Sequence, residues 1–150
     1  MLDSIQEILD RCRAEDVPFW RVIRESDMDQ RQVTAEESRE KMRQTWLAML
    51  ESEESYQARR RSLSGLAGGD GGKMRDFAAQ GHSLSGDYLS EVIAAALCVG
   101  EGNACMRKIV AAPTAGSSGI VPGVLLALEE QFHFTEEEMI QALYNAGAVG

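Results

Sequence analysis

The chain has 150 residues, 44% apolar, 26% charged and 6% aromatic, a globular composition with enough length for one domain and a modest core. Its 24 acidic residues against 15 basic ones give a net charge of −9 at pH 7, which nucleic-acid phosphates would repel, so a general nucleic-acid binder is disfavoured. The longest apolar runs (92–100 and 120–128) fall short of the roughly 18 residues of a membrane span. Met1-Leu2-Asp3 opens no signal-peptide pattern, and three cysteines without a CxxC pair make no disulfide framework, so a cytoplasmic protein is expected.

Residues 1–61 hold 14 of the acids and 11 of the bases, whereas 62–150 hold all 14 glycines. This contrast predicts charged peripheral helices in front and buried helices with pocket loops behind. Ile5, Ile8, Leu9 and Cys12 fall on one stripe of a short amphipathic helix. After Pro18, the segment Phe19-Trp20-Arg21-Val22-Ile23 fits either a helix or a docking strand. Thr34-Ala35-Glu36-Glu37 is a capping box, in which the hydroxyl accepts from a free N–H and the glutamate reaches back. The helix it opens carries Met42, Trp46, Met49 and Leu50 and is expected to close at Arg59-Arg60-Arg61, where cations suit the dipole.

The glycine run 65–73 interrupts all regular pattern. A helix then starts near Ser85-Gly86-Asp87 and is apolar on almost every face through Tyr88, Leu89, Val92, Ile93, Leu97 and Cys98. A helix apolar all round is a buried one, so this helix is expected at the centre of an all-α fold of six or seven helices. Residues 113–119 form a second glycine/serine loop ahead of a helix carrying Val121, Val124, Leu125, Leu128 and Phe132. Thr135 and Glu138 form a second capping box, and the helix after it carries no polar tail beyond Val149. Because chain ends are ordinarily solvated, the expectation is a front part of a longer protein.

Two loops have chemistry to offer. Thr114, Ala115, Gly116, Ser117, Ser118 and Gly119 lead into a helix, where N–H groups, hydroxyls and the positive dipole end suit a carboxylate or phosphate. The plainer alternative is a connection whose serines cap helices. No Gly-Lys-Ser/Thr follows, so this is not a Walker loop. The loop with Gly68, Gly69, Asp70 and Lys73 is either a second pocket loop or a linker, and Ser85 lies before the next helix. Cys98 and Cys105 read as small core residues rather than metal ligands, and His82 and His133 as surface or cap residues.

Taken together, Ser64-Gly65-Leu66-Ala67-Gly68-Gly69-Asp70, Leu84-Ser85-Gly86, Asn103-Ala104-Cys105-Met106, the block from Ile109 through Ala112-Pro113-Thr114-Ala115-Gly116-Ser117-Ser118-Gly119 to Gly123, and Asn145-Ala146-Gly147-Ala148-Val149-Gly150 resemble the alpha chain of iron–sulfur-dependent L-serine dehydratase. The resemblance runs the length of the chain. It implies conversion of L-serine to pyruvate and ammonia without pyridoxal phosphate, with a 4Fe-4S cluster acting as Lewis acid toward the serine hydroxyl. It further implies that the loop from Thr114 to Gly119 is a wall of the substrate pocket, and that a beta chain, separate or fused, is the partner. The family's three cluster cysteines lie beyond the segment matching residue 150, so none of Cys12, Cys98 and Cys105 corresponds to a ligand. These 150 residues alone are therefore expected to hold no cluster and turn over no serine. Ala67 stands where threonine is common, and Ser118 where some members have cysteine. The rival reading is a non-catalytic helical module that binds an acidic metabolite, or a partner through Phe19 to Ile23.

Overall fold

A computed structural model describes residues 4–81, 83–112, 114 and 117–149; His82, Ala115 and Gly116 lie outside the described residues. Among the described residues the chain is all-α, with α1 (Ile5–Glu15), α2 (Phe19–Arg31), α3 (Ala35–Glu54), α4 (Asp70–Ala79), α5 (Asp87–Ala104), α6 (Ile120–Phe132) and α7 (Glu136–Val149), and no strand. None of these helices is long and apolar enough to cross a membrane. The chain forms two compact units, one holding residues up to Trp46 together with those from Thr135, the other holding Leu47–Phe134. The charge contrast at residue 61 does not coincide with this division, whose first boundary falls inside α3.

In the first unit, Ser4 caps α1 by accepting the Glu7 N–H at 3.2 Å. Only Ile8 of the α1 stripe is buried, while Ile5 and Leu9 stay partly exposed. The segment after Pro18 is helical, not a strand, and Val22 is fully buried. Both capping boxes are formed. The Glu37 N–H donates to the Thr34 hydroxyl at 3.2 Å, the Thr34 N–H donates to the Glu37 carboxylate at 2.8 Å, and Thr135 with Glu138 repeats the arrangement. The backbone N–H bond from each threonine, then its hydroxyl, holds the glutamate's pKa below the usual range. Arg39 and Arg43 of α3 pair with Glu137 and Glu136 of α7, each at 2.8 Å. Beneath them the Ser38 hydroxyl donates to Asp27 at 2.6 Å, so the Tyr144 hydroxyl, 2.7 Å away, donates to Ser38.

In the second unit, α4 and α6 both pack on α5, which makes α5 the central helix. Its burial differs from the expectation in one respect. Ser90, Ala94, Cys98, Val99, Glu101 and Gly102 are buried, but Leu89, Ile93 and Leu97, spaced four residues apart, are 44%, 39% and 36% exposed. Contact between α5 and α6 is set by glycines at a four-residue spacing. A Cβ on Gly119 would meet the Ala96 carbonyl, and one on Gly123 would lie 2.7 Å from the Ala96 side chain and 2.9 Å from the Val92 oxygen. With no methyl in the way, the two backbones approach to contact, which gains dispersion energy along the seam.

The end of α3 differs from the sequence expectation too. The helix stops at Glu54, five residues before Arg59, and no basic residue lies in its last turn. Tyr56, just past that end, donates its hydroxyl hydrogen to Glu101 and accepts from the Gly72 N–H, contacts that draw the chain away from the helix axis. Arg61 instead donates to the carbonyls of Ala58 and Arg60.

Candidate functional site

The glycine run expected to be a loop is a loop only through Gly69; residues 70–73 form the first turn of α4, whose N-cap Gly69 adopts φ +89°. Glycine is needed there because an L side chain is strained at that φ. The helix start presents free N–H groups, and a single side chain takes them. The carboxylate of Glu101, 8% exposed, accepts from the N–H groups of Gly69 at 2.9 Å, Asp70 at 2.7 Å and Gly71 at 3.2 Å. The Tyr56 hydroxyl donates to the same carboxylate at 2.6 Å, and the Gly72 N–H donates to Tyr56 at 2.9 Å. Four successive amides of the α4 N-terminus are thus satisfied from within, by an anion placed where the helix dipole favours one.

This cluster shifts its neighbours. Burial, reinforced by the bond to Glu101, pushes the Tyr56 hydroxyl up from 10 to about 12. Burial pushes the Cys98 thiol up to about 11, against a smaller lowering by Arg75. Cys98 is therefore a neutral thiol near pH 7. It is also in close contact with α4, since a Cβ on Gly71 would lie 2.8 Å from its Sγ. Lys73 and Asp70 form an exposed ion pair at 2.7 Å, which holds the Asp70 carboxyl below its usual range. A Cβ on Gly68 would meet the Arg60 carbonyl. Ser85 is exposed, 2.9 Å from the Ser83 hydroxyl, and the N-cap of α5 is Gly86.

The second loop is built differently. The Thr114 and Ser117 hydroxyls lie 2.9 Å apart, and the Ser117 N–H meets the Thr114 oxygens. Ser118 is buried, and α6 begins after Gly119 without a side-chain cap. Ser117, Ser118 and Gly119 line an open groove of about 830 Å³ along α5 and α6, walled further by Val92, Ala96 and Asn103. Asn103 is fixed, because its side-chain amide pairs with both backbone groups of Val110. Among the described residues, the groove wall contains no carboxylate, lysine or histidine.

Gly68, Gly69, Asp70, Lys73 and Ser85 do not line this groove. The structure therefore brings Thr114 and Ser117 together, and joins Ser117, Ser118 and Gly119 in one wall, while the α4 start belongs to Glu101. Sequence reading missed Glu101 and Tyr56. The signal for Glu101 was an acidic residue following the apolar run from Val92 to Gly100 of α5.

Among the described residues, no group of three or more His, Cys, Asp or Glu side chains is placed to hold a metal ion. With Cys98 neutral and packed on Gly71, the residues present do not fit a 4Fe-4S cluster.

The family model of the serine dehydratase alpha chain matches residues 14–150. A probable L-serine dehydratase alpha chain of Bacillus subtilis (strain 168) is 32% identical over 150 residues, covering 100% of this chain and 50% of the relative. The L-serine dehydratase alpha chain of Peptoniphilus asaccharolyticus is 33% identical over 136 residues, covering 89% of this chain and 46% of the relative. The chain thus spans about half the length of these curated relatives. No solved structure matches it. On the family match and the full-length similarity, the chain belongs to the serine dehydratase alpha chain family.

Proposed function

We propose that this chain forms part of a cytoplasmic L-serine ammonia-lyase, supplying one wall of the pocket that holds L-serine. The observation that carries this reading is a contrast between two helix starts. The N-terminus of α4 is filled by Glu101, whereas that of α6 has no side-chain cap and stands beside the paired hydroxyls of Thr114 and Ser117. A carboxylate near Gly119 gains the dipole of α6 and hydroxyl donors together. In this reading Thr114, Ser117, Ser118 and Gly119 bind and orient the substrate carboxylate; Ala115 and Gly116, candidates for the same site from the sequence, lie outside the described residues. The reaction converts L-serine to pyruvate and ammonia. The base and the ligands of the 4Fe-4S cluster come from outside residues 1–150, in keeping with relatives about twice as long. A beta chain, separate or fused, is the proposed partner.

The test is made in the complete, cluster-loaded dehydratase. Thr114→Ala combined with Ser117→Ala is expected to lower kcat/KM for serine by about two orders of magnitude, the loss of two charge-assisted contacts, with helical circular dichroism retained. Unchanged turnover would leave the loop without a role in binding.

A further inference from the structure

The groove that carries Ser117 and Gly119 is mostly apolar. Ile93 and Leu97 of α5 and Ile120 and Val124 of α6, with Ile109 between the helices, line it and are 39%, 36%, 61%, 40% and 56% exposed. Each helix contributes a pair four residues apart, so the side chains form two rows with a trough between them. A contiguous apolar surface of this kind, with no charged residue among the described residues of its wall, is the mark of a surface that is covered in the working protein. Two apolar rows flanking a trough are the arrangement into which a third helix lays its own row of apolar side chains.

Two observations identify the occupant. The curated relatives are about twice as long as this chain, which covers 50% and 46% of them, so a dehydratase alpha chain contains about as much polypeptide again. A second copy of this chain is the weaker candidate, because each copy carries a charge of −9 and two such molecules repel at long range. We infer that the α5–α6 groove is the seat of an apolar helix from the other half of the dehydratase alpha chain, the half that these 150 residues do not span. Seated there, that helix lies against Ser117 and Gly119 and closes the open side of the proposed serine pocket. The inference rests on the dehydratase reading and names the partner surface of the same site.

A photo-crosslinking benzoylphenylalanine at position 97, in the protein produced in its own cells, tests it. After irradiation without added serine, the expected product joins position 97 to serine dehydratase alpha-chain sequence lying outside residues 1–150, identified by mass spectrometry. The same probe at Leu9, equally exposed but in the other unit, is expected to give none of that product. Val124→Asp, with circular dichroism unchanged, is expected to lower the yield from position 97 at least tenfold. A crosslink to residues 1–150 of a second copy, a crosslink to an unrelated protein, no crosslink, or a yield indifferent to Val124→Asp would each overturn the inference. Because the readout needs no turnover, it separates from the pocket reading. A crosslink with fully active Thr114/Ser117 variants removes the pocket and leaves the docking seat, and the converse result removes the seat alone.

Discussion

Tyr56 and Glu101, 45 residues apart in sequence, meet through a 2.6 Å hydrogen bond, and between them they satisfy the amides of the N-cap Gly69 and the first three residues of α4. Glu101→Ala leaves three amides and a phenol without their shared acceptor and is expected to cost about 3–5 kcal/mol. Glu101→Gln keeps the shape but loses the charge and turns an N–H toward donors, at about 2–3 kcal/mol. Tyr56→Phe removes one donor and one acceptor, at about 1–2 kcal/mol. Urea unfolding checks the order; equal midpoints for the wild type and Glu101→Ala would show that α4 does not depend on the carboxylate.

The same cluster makes the fold sensitive to alkali. The Tyr56 hydroxyl is raised from 10 to about 12 and the Cys98 thiol from 9.0 to about 11, each chiefly by burial. In those windows the folded state holds protons that the unfolded chain has released, so stability falls as pH rises. The contribution is complete below about pH 9 and is lost as pH climbs through about 11 for Cys98 and about 12 for Tyr56. Melting temperatures followed from pH 8 to 12 are expected to show this decline, with a shallower slope above pH 10 in Tyr56→Phe. Parallel slopes would remove Tyr56 as its source.

The α5–α6 seam predicts opposite effects for two glycine-to-alanine changes. At Gly119 the added methyl meets the Ala96 carbonyl, with the Ala96 carbonyl carbon at 3.0 Å, and backbone cannot step aside as a side chain does. Gly119→Ala is expected to destabilise by about 2–3 kcal/mol. Gly100, inside α5, has nothing within 4 Å of an added Cβ, so Gly100→Ala is expected to gain up to about 1 kcal/mol of helix propensity. Denaturation midpoints moving in the same direction for both would refute the close-packed seam.

Much of this architecture is written locally. Thr34 with Glu37 and Thr135 with Glu138 announce their helices within four residues, because a capping box is completed by its own turn. What could not be read was α4. Gly71 and Gly72 each lower helix propensity by about 1 kcal/mol, and the group that offsets them, Glu101, lies some thirty residues downstream. The end of α3 was misplaced for a related reason, since the arginine run fits a helix terminus, but Tyr56 answers to Glu101 and Gly72. At the candidate site, the polar loop around Thr114 and Ser117 was legible from composition. That Gly119 and Gly123 abut Ala96, while Ile120 and Val124 line the open groove, depends on which faces of α5 and α6 meet.

The cysteines carry a prediction about iron. Cys98 is a neutral, packed thiol, and no metal-sized group of ligands occurs among the described residues. Anaerobic incubation of the 150-residue chain with iron and sulfide is expected to leave no stable cluster absorption after gel filtration, and no pyruvate is expected from added serine. A retained cluster would mean that the cysteines within residues 1–150 serve as ligands after all.

The place of Glu101 has a consequence for how this fold senses its medium. A carboxylate held by three amides and a phenol is a tethered ligand, present at the α4 N-terminus at an effective concentration no free anion in the cell approaches. While the tether holds, α4 is indifferent to dissolved carboxylates, because its binding site is always occupied. Cut the side chain back to alanine and the joint becomes a vacant receptor. The stability of α4 then follows the concentration of formate or acetate by mass action, and a property set by sequence alone becomes one set by the solution.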